Sequence, residues 1–299
     1  MHSGGQPRQG GVLWFEYRKA LALLISLIAM AQRHPHQGQP SAFSSLLETR
    51  AVFEMASLAY AWPMLMQAPM GDGHPVLLLP GFMGSEGSLI ALERFLRGRG
   101  YNVQTWGLGR NVGFRPGHAS AIEQKIRYLH HETGRKVSLV GWSLGGVFAL
   151  YGAHQASECV RNVITLGSPV SVDASGTAVP PLLRALYRLV AHPMGSAAHA
   201  MQPRAKTMRE GKPLPVPVSC LYSLSDGVVP PQEATIEGDP ARHENIRVWG
   251  SHVGLGFNPL VLQIVADRLA QPEGQWKPFE PSGVLGMVHR ALTHEAVPI

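Results

Sequence analysis

Val137-Ser138-Leu139-Val140-Gly141-Trp142-Ser143-Leu144-Gly145-Gly146 is the stretch that decides the fold. Residues 137–140 read as a short buried strand, and residues 146–155 as a helix. Between them stands a Gly-x-Ser-x-Gly. A serine on so sharp a turn crowds its backbone against the residues two before and two after it. Glycine, with no Cβ, relieves that crowding. The serine hydroxyl is then held out at the end of a sheet and at the start of a helix. The five-residue motif alone arises often by chance; the strand before it and the helix after it give it meaning.

Working outward in both directions, strand and helix alternate. Toward the N-terminus lie an apolar strand at 76–79, a helix at 88–96 ending near Gly98 and Gly100, a strand at 101–106, and a helix at 119–131 stopped by Gly134. Toward the C-terminus lie strands at 160–166, 218–222 and 246–249. Asn258 then caps a helix at 259–269, with Pro259 at the first helical position, where a missing N–H costs nothing. Hydrophobic strands alternating with amphipathic helices imply an α/β protein: a mainly parallel sheet of about six core strands with helices on both faces. The alternation breaks at 171–217, which is either a short cap or lid or an irregular connection. Upstream, residues 44–66 read as a helix with Pro63 weakening its last turn, and 68–75 as a linker. The organisation expected is therefore an N-terminal extension over 1–70, one domain over 71–280 and a tail over 281–299.

A serine hydroxyl is a weak nucleophile until an adjacent base takes its proton, and the base needs a third group to orient it. In a fold of this kind the chain order is serine, acid, histidine. Asp226 follows the strand at 218–222, and His252 follows the strand at 246–249 within Gly250-Ser251-His252-Val253-Gly254. Both stand at strand C-terminal ends, where catalytic groups gather in open α/β sheets. Among the 14 histidines, His252 alone combines the order, the strand end and flanking glycines. Asp173 and Asp239 compete with Asp226 for the acid role. Two backbone N–H groups should face the developing oxyanion: that of Leu144, directly after the serine, and that of Phe82, after Gly81. The loop 107–111 either lines the site or is a structural turn. His130 and His131 complement a helix dipole rather than bind metal. Met194, Met201 and Met208 form either a pliable acyl-contacting surface or scattered core.

Leu77-Leu78-Leu79-Pro80-Gly81-Phe82-Met83-Gly84, the Gly141–Gly145 turn, Trp106-Gly107-Leu108-Gly109-Arg110-Asn111, residues 223–230 and residues 250–259 together resemble a group of bacterial esterase/lipase-like proteins. These belong to the α/β-hydrolase superfamily, and the likeness covers about residues 70–280. It implies the α/β-hydrolase fold and cleavage of carboxylic esters, small or lipid, through an acyl-enzyme that needs no cofactor or metal. A thioesterase or acyltransferase would use the same machinery, and a non-catalytic lipid-binding homologue would keep the scaffold. Residues 1–43 fall outside the resemblance.

Composition sets the outer limits. The 299 residues are 45% hydrophobic and 15% charged, enough for one sizeable core. The formal net charge is +6, but no basic run or basic-aromatic stripe of the kind that binds nucleic acid is present. Cys159 and Cys220 lie in or beside apolar strands and make no disulfide framework or metal-ligand spacing, which suits a cytoplasmic setting. The apolar run at 20–31, behind Arg18 and Lys19, is too short to span a bilayer. It ends in Ala29-Met30-Ala31, the form of a signal-peptidase site, so an exported form is the less favoured alternative to a core or membrane-surface helix. With the helix at 44–66, it makes the N-terminal region a candidate for association with a membrane surface rather than for the chemistry.

Overall fold

The structure is a computed structural model that describes residues 51–115, 117–170 and 214–293. The run at 20–31, Asp173, the three methionines of the insertion and most of the expected cap lie outside the described residues. Six strands form one parallel sheet: β1 (Pro75–Leu79), β2 (Asn102–Thr105), β3 (Val137–Trp142), β4 (Val160–Leu166), β5 (Val218–Ser223) and β6 (His243–Val248), in the spatial order β2-β1-β3-β4-β5-β6. Six helices accompany them among the described residues: α1 (Ala51–Leu65), α2 (Ile90–Gly98), α3 (His118–Thr133), α4 (Leu144–Gln155), α5 (Pro259–Ala270) and α6 (Gly283–Thr293).

Successive strand side chains point to opposite faces, and β1 feeds both cores in turn. Val76 and Leu78 join the residues of α2, α5 and α6 on one face. Leu77 and Leu79 join those of α3 and α4 on the other. Strands β1 and β4 are buried along their whole length, as a parallel sheet covered on both sides requires. At the edge the rule changes. Strand β6 begins three residues before the start expected from sequence, and its register pairs His243, Glu244 and Asn245 with Val218, Ser219 and Cys220. Its first three residues, His243, Glu244 and Asn245, are all polar and its burial is mixed, because an edge strand has a solvated side. A criterion of continuous apolar sequence therefore finds only its second half.

Helix ends follow local chemistry. Asn258 accepts hydrogen bonds from the N–H groups of Leu260 (3.0 Å) and Val261 (3.4 Å) at the start of α5. Helix α3 ends where Gly134 takes a left-handed φ of 63°, open to glycine without steric cost. The chain enters α2 through a 3₁₀ turn over Glu86–Leu89.

Both ends of the described chain pack on this body. Helix α1 lies against α5 and against the short 3₁₀ turn Gly254–Gly256, burying Leu65 and leaving Met55, Tyr60 and Trp62 exposed. Beyond residue 280, where the sequence suggested only a tail, α6 packs on α5 and β6 and buries Val288 and Leu292, an i, i+4 pair on one face. Just before it, Phe279 accepts the Arg268 guanidinium over its ring at 5.1 Å and donates its backbone N–H to Glu244 at 2.6 Å. Among the described residues no helix is long and apolar enough to cross a membrane.

The order of strands fixes where a site can form. From β1 the chain steps outward to β2 and then returns to place β3 on the other side of β1. Loops leaving β1 and β3 diverge at such a reversal, opening a crevice at the C-terminal ends of the strands.

Candidate active site

Ser143 stands directly after β3, at that crevice, and its backbone has φ 54° and ψ −124°. A non-glycine residue rarely holds such a conformation. The flanking glycines are sterically required. A Cβ on Gly141 would lie 2.4 Å from the backbone of Gly145 and Gly146, and one on Gly145 would lie 2.1 Å from the Leu79 carbonyl oxygen. The turn is further held by the Ser143 N–H, which donates to the Leu166 carbonyl at 2.9 Å.

The structure brings the serine, histidine and aspartate of the sequence reading together from three strand ends. His252 Nε2 lies 2.9 Å from Ser143 Oγ, and His252 Nδ1 lies 2.8 Å from Asp226 Oδ2. Asp226 Oδ1 accepts the N–H groups of Val228 and Val229, each at 2.8 Å, which fixes the plane of the carboxylate. A carboxylate only accepts, so Nδ1 carries the imidazole proton and Nε2 is left to accept from the serine hydroxyl. Asp226 and His252 are buried, and Ser143 is half-buried. Asp239 sits elsewhere, exposed, where its carbonyl closes the turn into β6 by accepting from Arg242 and His243.

The loop after β1 comes within contact of the serine. A Cβ on Gly81 would lie 3.1 Å from Ser143 Cβ and 3.2 Å from the Trp142 carbonyl oxygen, so a side chain here would press on the serine and its neighbour. Phe82 follows it and is half-buried, as is Leu144 at the first position of α4. Both N–H donors expected for an oxyanion thus belong to segments that border Ser143.

Some contributors were not found from sequence. Trp142 donates its indole N–H to the His252 carbonyl at 3.0 Å, tying the two motifs together. Gly167, after β4, has φ 54°, and a Cβ there would lie 2.9 Å from Asp226 Oδ2 and 3.3 Å from His252 Nδ1; its only sequence signal was a glycine at a strand end. For the loop 107–111 the structure answers the question left open. Asn111 is fully buried, its side chain donating to the Pro80 carbonyl at 2.7 Å and accepting from the Gly113 N–H at 3.1 Å. Its backbone exchanges bonds with Met83 (2.6 Å) and Gly84 (2.8 Å). Asn111 therefore braces the Gly81–Gly84 loop.

A second serine–histidine–aspartate set lies at the opposite, N-terminal end of the strands. His74 contacts Ser138 Oγ at 2.8 Å and Asp72 at 2.5 Å. Both His74 and Ser138 are fully inaccessible to solvent, and Asp72 is engaged by Arg135 and Arg161 as well. Burial holds the His74 imidazole down to about 4 despite its bond to Asp72. No substrate can reach this set; it ties the residues ahead of β1 to β3 and β4.

No protein-family model matches the sequence, and no curated protein matches it. Solved structures do match in shape. Aspergillus fumigatus lipase B superposes with a TM-score of 0.55 at 19% identity over 72% of this chain, which spans 56% of that lipase. The mature form of Bacillus licheniformis lipase BlEst2 superposes with a TM-score of 0.51 at 18% identity, over 69% of this chain and 95% of that one. The chain has the α/β-hydrolase fold. In this fold Ser143, Asp226 and His252 stand beyond strand ends in the order serine, acid, histidine. The arrangement lets a proton pass from Ser143 Oγ to His252 Nε2 while Asp226 stabilises the imidazolium. Among the described residues no group of three or more His, Cys, Asp or Glu side chains is arranged to hold a metal ion.

Proposed function

We propose that this chain is a serine hydrolase that cleaves carboxylic esters through an acyl-enzyme. The observation that carries the reading is the continuous Ser143–His252–Asp226 relay, 2.9 and 2.8 Å long, beneath a serine strained outward at the switch point of the sheet. Ser143 Oγ attacks the ester carbonyl carbon as its proton moves to His252 Nε2. The carbonyl oxygen becomes an oxyanion held by the N–H groups of Phe82 and Leu144. Collapse expels the alcohol, which takes the proton from His252, and leaves the acyl group on Ser143. Water, deprotonated by the same imidazole, then releases the acid. The named structural neighbours are lipases, which favours an ester over other acyl donors. A thioester would be attacked by the same atoms, so the test includes one.

The test pairs a fluorophosphonate probe with p-nitrophenyl esters of graded chain length and one acyl-CoA. The full-length protein should be labelled at Ser143 and turn over ester faster than thioester. Ser143→Ala should lose labelling and, on the scale of nucleophile deletions in serine hydrolases, on the order of 10⁶-fold in kcat. Unchanged ester turnover by a folded Ser143→Ala protein overturns the reading. Faster cleavage of the acyl-CoA replaces esterase with thioesterase.

A further inference from the structure

Glu54, in the first turn of α1, is a carboxylate buried to 4% exposure among the body of the protein. It reaches across 197 residues of sequence to the turn that carries His252, where its Oε1 accepts the backbone N–H of Ser251 at 2.8 Å. The fit is close on both sides. A Cβ on Gly254 would lie 1.6 Å from Glu54 Oε2, and one on Gly250 would lie 3.4 Å from it. Two glycines thus leave the space that the carboxylate occupies, and Ser251 is fully buried, so its N–H is cut off from bulk solvent.

We infer that Glu54 is a positioning residue for His252, so that α1, outside the strand–helix alternation, is part of the working site. The inference rests on the hydrolase reading above. Its physical basis is the way the Gly250–Gly254 turn is suspended. Ser223 Oγ holds the Gly250 carbonyl at 2.7 Å, and Trp142 holds the His252 carbonyl at 3.0 Å. Both act on carbonyl groups, and they come from the ends of β5 and β3. Glu54 takes the N–H of the residue immediately before His252 and comes from α1, outside the sheet. The carboxyl oxygen gives this buried N–H an acceptor inside the protein, and losing it leaves the N–H without that partner. Ser251 Oγ in turn accepts the Gly254 N–H at 3.0 Å, which closes the turn on itself. Losing the anchor frees the backbone next to the imidazole, and a displacement of about 1 Å at a reacting group can cost on the order of 10²-fold in rate. Glu54 touches no substrate atom in this scheme. Its effect falls on the reaction of Ser143 and not on the affinity for ester.

The experiment uses the full-length chain and its Glu54→Ala, Glu54→Gln and Glu54→Asp variants. It reads the rate of fluorophosphonate labelling at Ser143, kcat and KM for p-nitrophenyl butyrate, and thermal unfolding as a check on folding. Glu54→Ala should lower the labelling rate and kcat together by about 10- to 100-fold, with KM unchanged. Glu54→Gln keeps an oxygen for the Ser251 N–H and should recover most of the loss. If the alanine variant does not fold, Glu54→Asp replaces it. Its carboxylate is withdrawn by about 1.5 Å, one carbon–carbon bond, and the same slowing is expected. A folded Glu54→Ala or Glu54→Asp protein that labels at the wild-type rate overturns the inference, as does a glutamine variant no faster than alanine. A wild-type chain that neither labels nor cleaves ester removes the hydrolase reading and this inference with it, whereas loss of the inference alone leaves wild-type labelling intact.

Discussion

Among the described residues, the non-glycine positions that hold a positive φ are Met83 (61°) and Ser143 (54°), and both border the candidate site. Conformations of this kind cost on the order of 1–3 kcal/mol each and persist only where the surroundings over-determine them. At Ser143 the surroundings are the two flanking glycines and the bond to Leu166; at Met83 they are the Asn111 carbonyl, which takes the Met83 N–H. Gly167 poses the converse case, a glycine that spares its neighbours. A methyl group there would enter the space between Leu255 (2.6 Å), Asp226 and His252, on a backbone that a side chain rarely adopts. Gly167→Ala should therefore reduce kcat by about 10-fold or more, since the methyl presses on the hydrogen bond that orients the imidazole. Steady-state kinetics beside a thermal melt will decide it. A folded variant with the wild-type kcat shows that Asp226 and His252 yield without losing their alignment.

At the scale of elements, the loop after β1 and the loop after β2 act as one unit. The first carries Gly81 and Phe82 beside Ser143; the second supplies Asn111, which bonds to the first through both its backbone and its side chain. Preorganised donors are effective because they need not move as charge develops, and Asn111 bonds to Pro80, Met83 and Gly84 along that backbone. Asn111→Ala removes the bonds to the Pro80 carbonyl and the Gly113 N–H and leaves both groups buried without that partner. It should cost about 1–3 kcal/mol of stability and lower kcat about 10-fold while leaving KM little changed. Arg94→Ala, at an exposed position of α2, is the control expected to do neither. Denaturant titration and kcat measured on both variants test this, and equal kcat in the two would return the loop 107–111 to the status of a turn.

For the molecule as a whole, the histidines set the response to acid. Burial pushes His74 down to about 4, and it pushes His118, His154 and His243 below their ordinary value as well. In the unfolded chain each would take a proton near pH 6.5. The folded state binds fewer protons, so stability must fall as pH drops from about 6.5 toward 4. Asp72 acts in the same direction lower down. Burial alone would raise its carboxyl, but the bonds from His74 and Arg161 outweigh that and hold it below the usual carboxylate range. Its contribution is present at neutral pH and is lost once the folded-state carboxyl takes a proton. Melting temperature should therefore decline steadily from pH 7 to pH 4.5, and His74→Gln should melt lower at pH 7 but with a shallower decline. A flat profile for the wild-type chain over that range would contradict it.

The sequence by itself determined the features whose causes are local. The Gly141–Gly145 turn follows from crowding between residues that adjoin in the chain, and the cap at Asn258 from the unpaired N–H groups next to it. The order of Ser143, Asp226 and His252, each behind its own strand, was legible for the same reason, because each follows an apolar run that a parallel sheet buries. The first half of β6 escaped that reading because His243, Glu244 and Asn245 are all polar, which a partly solvated edge strand tolerates. The tertiary structure alone decided the rest. A buried N–H such as that of Ser251 must find an acceptor, but nothing in the neighbouring sequence says that it is Glu54, 197 residues away. Likewise Asn111 became a brace and Gly167 a spacer only once the strand order β2-β1-β3-β4 had set their loops side by side. Hydrogen-bonding demand is written residue by residue, whereas the partner that meets it is chosen by which elements pack together.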